Sequence, residues 1–419
     1  MLVVCNGTDA PLHVSLSSEL WSIVLDGLES CSPPLAVNGV SVGCLGRVKR
    51  NSRHHRTRLA LSTGKEKMTP WLVNLPRKQS KAFCELACGR EWPWRVYATR
   101  VGDEQRVLVL PKRELSCFLR ELDDGLPLSS LILPGTHQTM ALYGWPHSKC
   151  QELRLDQQLE RGIRVLDIRL SNANFKDIVN DVLSFLNSPA GISETVVMSV
   201  KPEDDSPLFN GLVWQHVQAS RSQWFLDNRI PTLGEVRGKI VMFSRFGGSG
   251  WPDNVGIGIH PPQWPDNVQQ GFDWTLGDTI MRVQDWYSIP SFLSIPEKMA
   301  AATSSLVVPH APGTPPTLNI SFFSASSALA LPPTVALGAG YPGIGLGFRG
   351  VNERAANWLV NQLSAKGGED LRLRGWALLD FFESPEKDGE SLLCSLLVEC
   401  NWRGRVSGEE GWQMLPQKY

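Results

Sequence analysis

Residues Leu131–Thr139 read LILPGTHQT, an apolar run that stops at a Pro-Gly turn and delivers one histidine, His137. An apolar run closed by Pro-Gly predicts a buried strand that ends in a turn. Histidine is the side chain whose unperturbed pKa lies nearest neutrality, so one placed there is the default proton carrier. Sheets and barrels collect their catalytic groups at such strand ends. On this stretch alone, a loop histidine without a role is an equally good reading, and the strands downstream decide between them.

Five further runs repeat the pattern: TVVMSVK at 195–201, KIVMFSR at 239–245, IMRVQD at 280–285, TLNISFF at 317–323 and GWALLDFF at 375–382. With 131–137 and 164–170 they make seven barrel strands, separated by helical stretches. In 175–186, Phe175, Ile178, Val179, Val182, Leu183 and Leu186 follow the 3.6-residue period of an amphipathic helix. Leu153–Arg161 is a second helical stretch, stopped by Gly162. Apolar strands alternating with helices predict a parallel sheet covered on both faces. Polar residues close six of the strands: His137, then Asp167 with Arg169, then Lys201, Arg245, Asp285 and Asp380. One such residue means little, because strands often end in charge where they reach solvent. A ring of them at the C-terminal ends is how a (β/α) barrel builds its site.

The first part of the chain reads differently. LVVCNGTDAPLHVSL, PWLVNL, WRVYATR and RVLVLP are short apolar or alternating runs bounded by turn residues, so 1–115 is expected to be a small β-rich, sandwich-like domain. Its basic run, Arg47–Arg58 (RVKRNSRHHRTR), has anionic headgroups as a functional partner and a solvated loop as the ordinary reading. Bulk properties are those of a soluble globular protein: 42% hydrophobic and 20% charged over 419 residues. A net charge of −1 gives no basis for nucleic-acid binding. No apolar window is long enough for a transmembrane segment. The start, MLVVCNGTDAPLH, lacks the parts of a secretory signal, so a cytoplasmic or peripheral-membrane location is expected. Nine scattered cysteines suggest reduced thiols, and Cys84 and Cys88 lack a second pair for zinc.

LPGTH, then QQLERGIRVLDIRL, then SETVVMSVKPE resemble the catalytic X-type domain of phosphatidylinositol-specific phospholipases C, and GKIVMFSR, VQDWY and RGWALLDFF extend the resemblance over about 118–402. Bacterial enzymes and fungal phospholipase C-like phosphodiesterases are the most similar, and the fungal members also carry an N-terminal β domain. The resemblance implies a distorted TIM-type α/β barrel at 118–402, with 403–419 as a C-terminal tail. It implies His137 as the base on the inositol 2-hydroxyl, Asp380 as the carboxylate orienting that imidazole, and Arg169 as the cation on the phosphoryl oxygens. Lys201, Arg245, Asp285 and Tyr287 match positions that hold the inositol ring. Arg169 stands where animal-type relatives gather their calcium, so no metal and no cofactor are expected. The expected partner is a phospholipid substrate at a membrane surface; oligomeric state is left open.

The chain also departs from the family. Its members carry a second histidine, the general acid, on a strand between the DIR strand and the next helix. Here only SNAN separates Leu170 from Phe175, and no histidine lies between His147 and His216. Four residues do not hold a strand and its turns. The residue after the base histidine, an aspartate in the bacterial form, is Gln138. Three accounts stand: a defective product of an active enzyme's gene, a weakened or non-catalytic member, or replacement of the acid by another histidine such as His147. The expected function is therefore a phosphodiesterase of phospholipase C type with impaired activity. The alternative is a non-catalytic barrel that binds phosphoinositide or inositol-phosphate headgroups.

Three smaller features complete the reading. WPDNV occurs at 251–255 and 264–268, with Trp251 and Trp264 open to membrane insertion or to loop packing. Residues 300–350, rich in Ser, Ala, Pro and Gly, are expected to be mostly loop around one strand. Asn6 and Asn319 lie in glycosylation sequons.

Overall fold

The structure is a computed structural model. It describes residues 2–16, 22–25, 35–37, 40–42, 45–48, 58–62, 70–75, 84–87, 92–170, 175–203, 209–246, 256–309, 315–342 and 346–405. Residues 49–57 of the basic run Arg47–Arg58, together with Cys88, Trp251 and the tail after 405, lie outside them.

The seven expected strands form one parallel sheet: β1 (Ile132–Thr136), β2 (Val165–Leu170), β3 (Val196–Pro202), β4 (Ile240–Ser244), β5 (Thr279–Gln284), β6 (Thr317–Phe322) and β7 (Gly375–Leu379). In space the order runs β4, β3, β2, β1, β7, β6, β5. Two strands that the sequence reading passed over finish the edges. Trp224–Phe225 lies parallel to β4, and Phe272–Leu276 pairs antiparallel with β5. The first has only two residues, and the second alternates aromatic with polar residues, so neither shows a continuous apolar run. The result is a curled, open TIM-type barrel.

Strand period 2 sorts the side chains into two cores. Leu133, Val165, Val197, Phe243, Val283, Ile320 and Leu378 fill the barrel interior in one buried cluster. Ile132, Ile168, Val200, Met242 and Leu379 point outward, against α1 (Leu155–Glu160), α2 (Phe175–Leu186), α3 (Phe209–Ala219), α4 (Ile295–Leu306), α5 (Val351–Leu363) and α6 (Leu392–Glu399). In α2, Phe175, Ile178, Val179, Val182 and Leu186 form the buried stripe, as their period requires. Gly162 ends the turn after α1 at φ +93°, a conformation that favours glycine. Between barrel strands and helices sits a fully buried ion pair, Arg164–Glu194 at 2.8 Å.

The Ser/Ala/Pro/Gly-rich stretch 300–350 corrects its expectation. Besides β6 it holds most of α4, a short helix Pro332–Leu337 and a hairpin of Gly338–Tyr341 with Leu346–Arg349. Alanine serves as the packing residue in α4, where Ala302 is buried with Ile295 and Leu306, so the apolar face is weak in sequence.

Ahead of the barrel, a five-stranded sheet (Leu45–Val48, Leu2–Asn6, Glu104–Pro111, Trp94–Val101, Cys84–Ala87) faces a four-stranded one (Ser22–Leu25, Leu12–Leu16, Arg58–Ser62, Trp71–Asn74). Leu2, Val4, Val96 and Val107 of the first share a core with Leu12, Val14, Leu59 and Val73 of the second. Hydrogen bonds tie this region to the barrel, Thr99 Oγ1 to Asn361 Oδ1 at 2.7 Å and Arg403 Nη2 to the Gly7 carbonyl at 2.6 Å among them. Both sequon asparagines, Asn6 and Asn319, are buried. Among the described residues, no helix is long and apolar enough to cross a membrane.

Candidate active site

Every polar strand-end residue singled out above shares the parity of the interior core: His137 with Leu133, Arg169 with Val165, Lys201 with Val197, Arg245 with Phe243, Asp285 with Val283 and Asp380 with Leu378. They therefore leave the packed interior at its C-terminal mouth. There, His137, Arg169, Lys201, Arg245, Asp285, Tyr287 and Asp380 line a single pocket of about 420 Å³.

The LPGT segment brings β1 close to β2. A Cβ on Gly135 would lie 2.7 Å from Val165 Cβ and carbonyl oxygen, so glycine is required there. Both His137 and Asp380 are followed by a residue in left-handed conformation, Gln138 (φ 42°) and Phe381 (φ 46°). For a buried phenylalanine that backbone is strained, and neighbouring hydrogen bonds hold it. Asn352 Nδ2 donates to the carbonyls of Asp380 (2.9 Å) and Phe381 (3.1 Å), and the Phe381 amide donates to Cys150 (2.8 Å). Gln151 Nε2 donates to the carbonyls of both His137 and Leu379 at 2.8 Å, stapling the tips of β1 and β7 together. Nothing in the sequence marked Cys150, Gln151 or Asn352 for this work.

His137 Nδ1 lies 2.8 Å from Asp380 Oδ1, and its Nε2 lies 3.0 Å from Arg169 Nη2. A guanidinium only donates, so Nε2 accepts and Nδ1 carries the proton toward the carboxylate. The lone pair of a neutral imidazole thus faces the pocket beside a fixed cation. Asp167, fully buried, is the hub beneath it. Its Oδ2 accepts from Arg169 Nε (3.1 Å) and the Gln138 amide (3.0 Å), while Oδ1 lies 3.5 Å from Arg245 Nη1. Burial alone would raise this carboxyl, but Arg169 and Arg245 outweigh it and hold it below the ordinary carboxylate value. Its shared parity with Arg169 was the sequence signal for it.

Across the β2–β3 ladder, Arg169 is paired in register with Lys201. Burial, then the charges of Arg245 and Arg169, push the Lys201 ammonium below its usual pKa. Arg245 lies over the Trp264 ring at 3.8 Å, and the Trp264 indole donates to Asp285 Oδ2 at 2.9 Å. Trp264 is therefore a wall of the pocket, which settles its two readings in favour of packing. Tyr287 donates to Asp266 Oδ1 at 2.7 Å. Ser324 and Ser326, on the loop after β6, also line the pocket and gave no signal in sequence.

His137 is the single histidine among the described residues that line this pocket; His147 sits exposed in a turn outside it. β2 ends at Leu170, and α2 begins at Phe175. His137, Cys150 and Asp380 place one ligand atom each within 4.8 Å of one another. Burial, then Asp380, raises the Cys150 thiol, whose Sγ lies 3.4 Å from Gln138 Oε1. With Nδ1 bearing hydrogen toward Asp380, the three side chains are held together by hydrogen bonding.

No protein-family model matches the chain. Its fold is that of a phosphatidylinositol-specific phospholipase C. A solved structure of that enzyme from Staphylococcus aureus superposes with a TM-score of 0.53 at 20% identity, covering 68% of this chain and 97% of that one. In sequence the chain is similar to the 1-phosphatidylinositol phosphodiesterase of Listeria monocytogenes, 32% identical over 155 residues, which are 30% of this chain and 48% of that protein. The Staphylococcus aureus phosphodiesterase is 27% identical over 200 residues, covering 41% of this chain and 64% of its own length. The chain thus spans about half to under two thirds of the curated relatives it matches. By resemblance it is phospholipase C-like.

Proposed function

We propose that this chain is a phosphoric diester hydrolase of the phosphatidylinositol-specific phospholipase C type, in its fungal form with a β-rich domain (1–115) before the barrel (118–402). The observation that carries this reading is the row Asp380–His137–Arg169, spaced 2.8 and 3.0 Å and opening onto the pocket. His137 takes the proton of the inositol 2-hydroxyl at Nε2. The freed oxygen attacks the adjacent phosphorus, closing a cyclic diester and breaking the bond to the glycerol oxygen, which takes its proton from solvent water while the imidazolium returns its own to solvent. Asp380 holds the tautomer and stabilises the imidazolium that forms. Arg169 neutralises charge growing on the phosphoryl oxygens, a role that metal ions fill elsewhere, so the reaction is metal-independent. Lys201 and Arg245 as donors, with Asp285 as acceptor, suit the hydroxyls of a polyol, and Tyr287 offers a ring face.

The protein acts at a membrane surface in this account. Tyr143 (84% exposed), Trp145, Leu293 and Leu329 stand on the loops that follow β1, β5 and β6, around the pocket mouth. Exposed aromatic and aliphatic side chains on one rim suit a lipid interface.

A second reading, a headgroup-binding barrel without turnover, is favoured by one observation: no second histidine lines the pocket among the described residues. Loss of general-acid assistance costs about 10²–10⁴-fold in rate. Incubation with phosphatidylinositol vesicles in chelator separates the two. Slow cleavage that disappears in His137→Ala supports the enzyme; headgroup-dependent vesicle binding without product supports the binder.

A further inference from the structure

Gln138 lines the pocket beside His137, and the reaction above gives its side chain no task. Its backbone is left-handed at φ 42°, a conformation uncommon for a residue with a Cβ and concentrated at functional sites. The Asp167 carboxylate holds it there. Its Oδ2 accepts from the Gln138 backbone amide at 3.0 Å and from Arg169 Nε at 3.1 Å. One carboxylate oxygen thus anchors both residues, so the Gln138 side chain leaves the backbone next to the Arg169 guanidinium.

The amide also has a fixed sense. Burial, then Asp380, raises the Cys150 thiol, which therefore keeps its proton. Of the two carbonyl oxygens it reaches, Gln138 Oε1 at 3.4 Å is nearer than that of Ser148 at 3.8 Å. An amide whose oxygen accepts from a thiol turns its nitrogen the other way. Cys150 is 2% exposed and is not among the residues that line the pocket, whereas the half-buried Gln138 is, so the nitrogen end is the one left to the cavity. Among the described residues, Gln138 Nε2 donates to nothing. Charge points the same way. Asp167 and Asp380 already bring two carboxylates against His137 and Arg169, and a third at position 138 would repel a phosphodiester where a neutral amide does not.

We propose that the Gln138 carboxamide donates from Nε2 to a non-bridging oxygen of the phosphodiester beside Arg169, and that Cys150 is the positioning residue that sets which end of the amide meets it. The proposal rests on the reading that the pocket takes an inositol phosphodiester. The amide moves no proton. It gives a neutral hydrogen bond to oxygens whose charge grows as the ring oxygen closes on phosphorus, and the glycerol oxygen still takes its proton from water.

Calorimetric titration of the full chain with myo-inositol and with myo-inositol 1-phosphate tests it, with a melting curve for each variant. Gln138→Met removes the donors at similar volume, and Gln138→Glu keeps the outline but puts a negative charge in their place. Toward myo-inositol 1-phosphate, Gln138→Met is expected to bind about tenfold more weakly than wild type, and Gln138→Glu more weakly still. Both should bind myo-inositol, which carries no phosphate, within about twofold of wild type. Cys150→Ala frees the amide to turn and should lose about threefold toward the phosphate ligand, while Cys150→Ser keeps a donor and should restore it. Undiminished phosphate binding by Gln138→Met, or an equal loss for both ligands, overturns the donor. Equal affinities in Cys150→Ala and Cys150→Ser overturn the positioning role. If the buried Cys150 variants do not fold, the Gln138 pair decides the proposal. A wild type that binds neither ligand sinks the reading of the pocket itself, and the donor with it. If phosphatidylinositol is never cleaved while phosphate binding depends on Gln138, the catalytic reading falls and the donor stands.

Discussion

His137 and Asp380 are separated by 243 residues in sequence, and their side chains meet at 2.8 Å because β1 and β7 are hydrogen-bonded neighbours in the barrel. The pairing turns the imidazole so that Nε2 faces Arg169 at 3.0 Å. The three side chains proposed as base, orienting carboxylate and phosphate-binding cation are thus held by the register of three adjacent strands.

Asp380→Asn keeps the shape of the carboxylate but offers Nδ1 no full negative charge, and its amide favours the wrong tautomer. The expected result is a fall in kcat of about 10²–10⁴-fold with KM and thermal midpoint near wild type. Steady-state kinetics on phosphatidylinositol vesicles, with a melting curve for each protein, check it.

A site without a proton donor suffers most when the leaving group is a poor one. An inositol phosphodiester with an aryl leaving group, whose anion departs unprotonated, is expected to be cleaved about 10²–10⁴-fold faster than the natural glycerol ester. Comparable rates on the two esters would show that some group donates the proton after all.

Asp167 pairs with Arg169 and Arg245 from a fully buried position. Asp167→Asn leaves two guanidiniums without their carboxylate and is expected to cost about 3 kcal/mol or more of stability in urea unfolding at neutral pH. The pH dependence has a definite sign. The folded pKa of Asp167 is depressed, so its contribution is complete above the unfolded value of about 4 and is lost as pH falls through the folded value. The stability gap between wild type and variant should therefore shrink on acidification below about pH 4.

Lys298 is fully buried in α4, where its Nζ donates to the Trp286 carbonyl at 2.7 Å, and burial lowers its pKa to about 7. In the unfolded chain a lysine titrates near 10.4. Between these values the unfolded state binds the extra proton, so stability should rise with pH from about 7 to about 10. Lys298→Met should flatten that rise in denaturant midpoints measured across the window. An unchanged slope would place its cause elsewhere.

Much of the fold was legible because β1 to β7 are near-continuous apolar runs, six of which close on a polar residue in the inward register. The same parity brought Lys201, Arg245, Asp285 and Tyr287 to one pocket with the base. What the sequence hid has physical reasons. Trp224–Phe225 is too short for any periodicity, and α4 buries alanine where a stronger signal would need leucine. Trp264 was open to membrane insertion or to packing because its partners, Arg245 and Asp285, are 19 and 21 positions away. Cys150 and Gln151 act chiefly through backbone carbonyls and amides, which leave no mark in side-chain patterns.

The central claim is that His137 drives an attack by the ring hydroxyl on its own phosphate. Phosphorus NMR of phosphatidylinositol vesicles incubated with the protein in chelator tests this most directly. The account predicts that the first product is a five-membered cyclic inositol phosphate, formed slowly by the wild type and not at all by His137→Ala. An acyclic phosphate as first product, or equal cyclic product from His137→Ala, would contradict it.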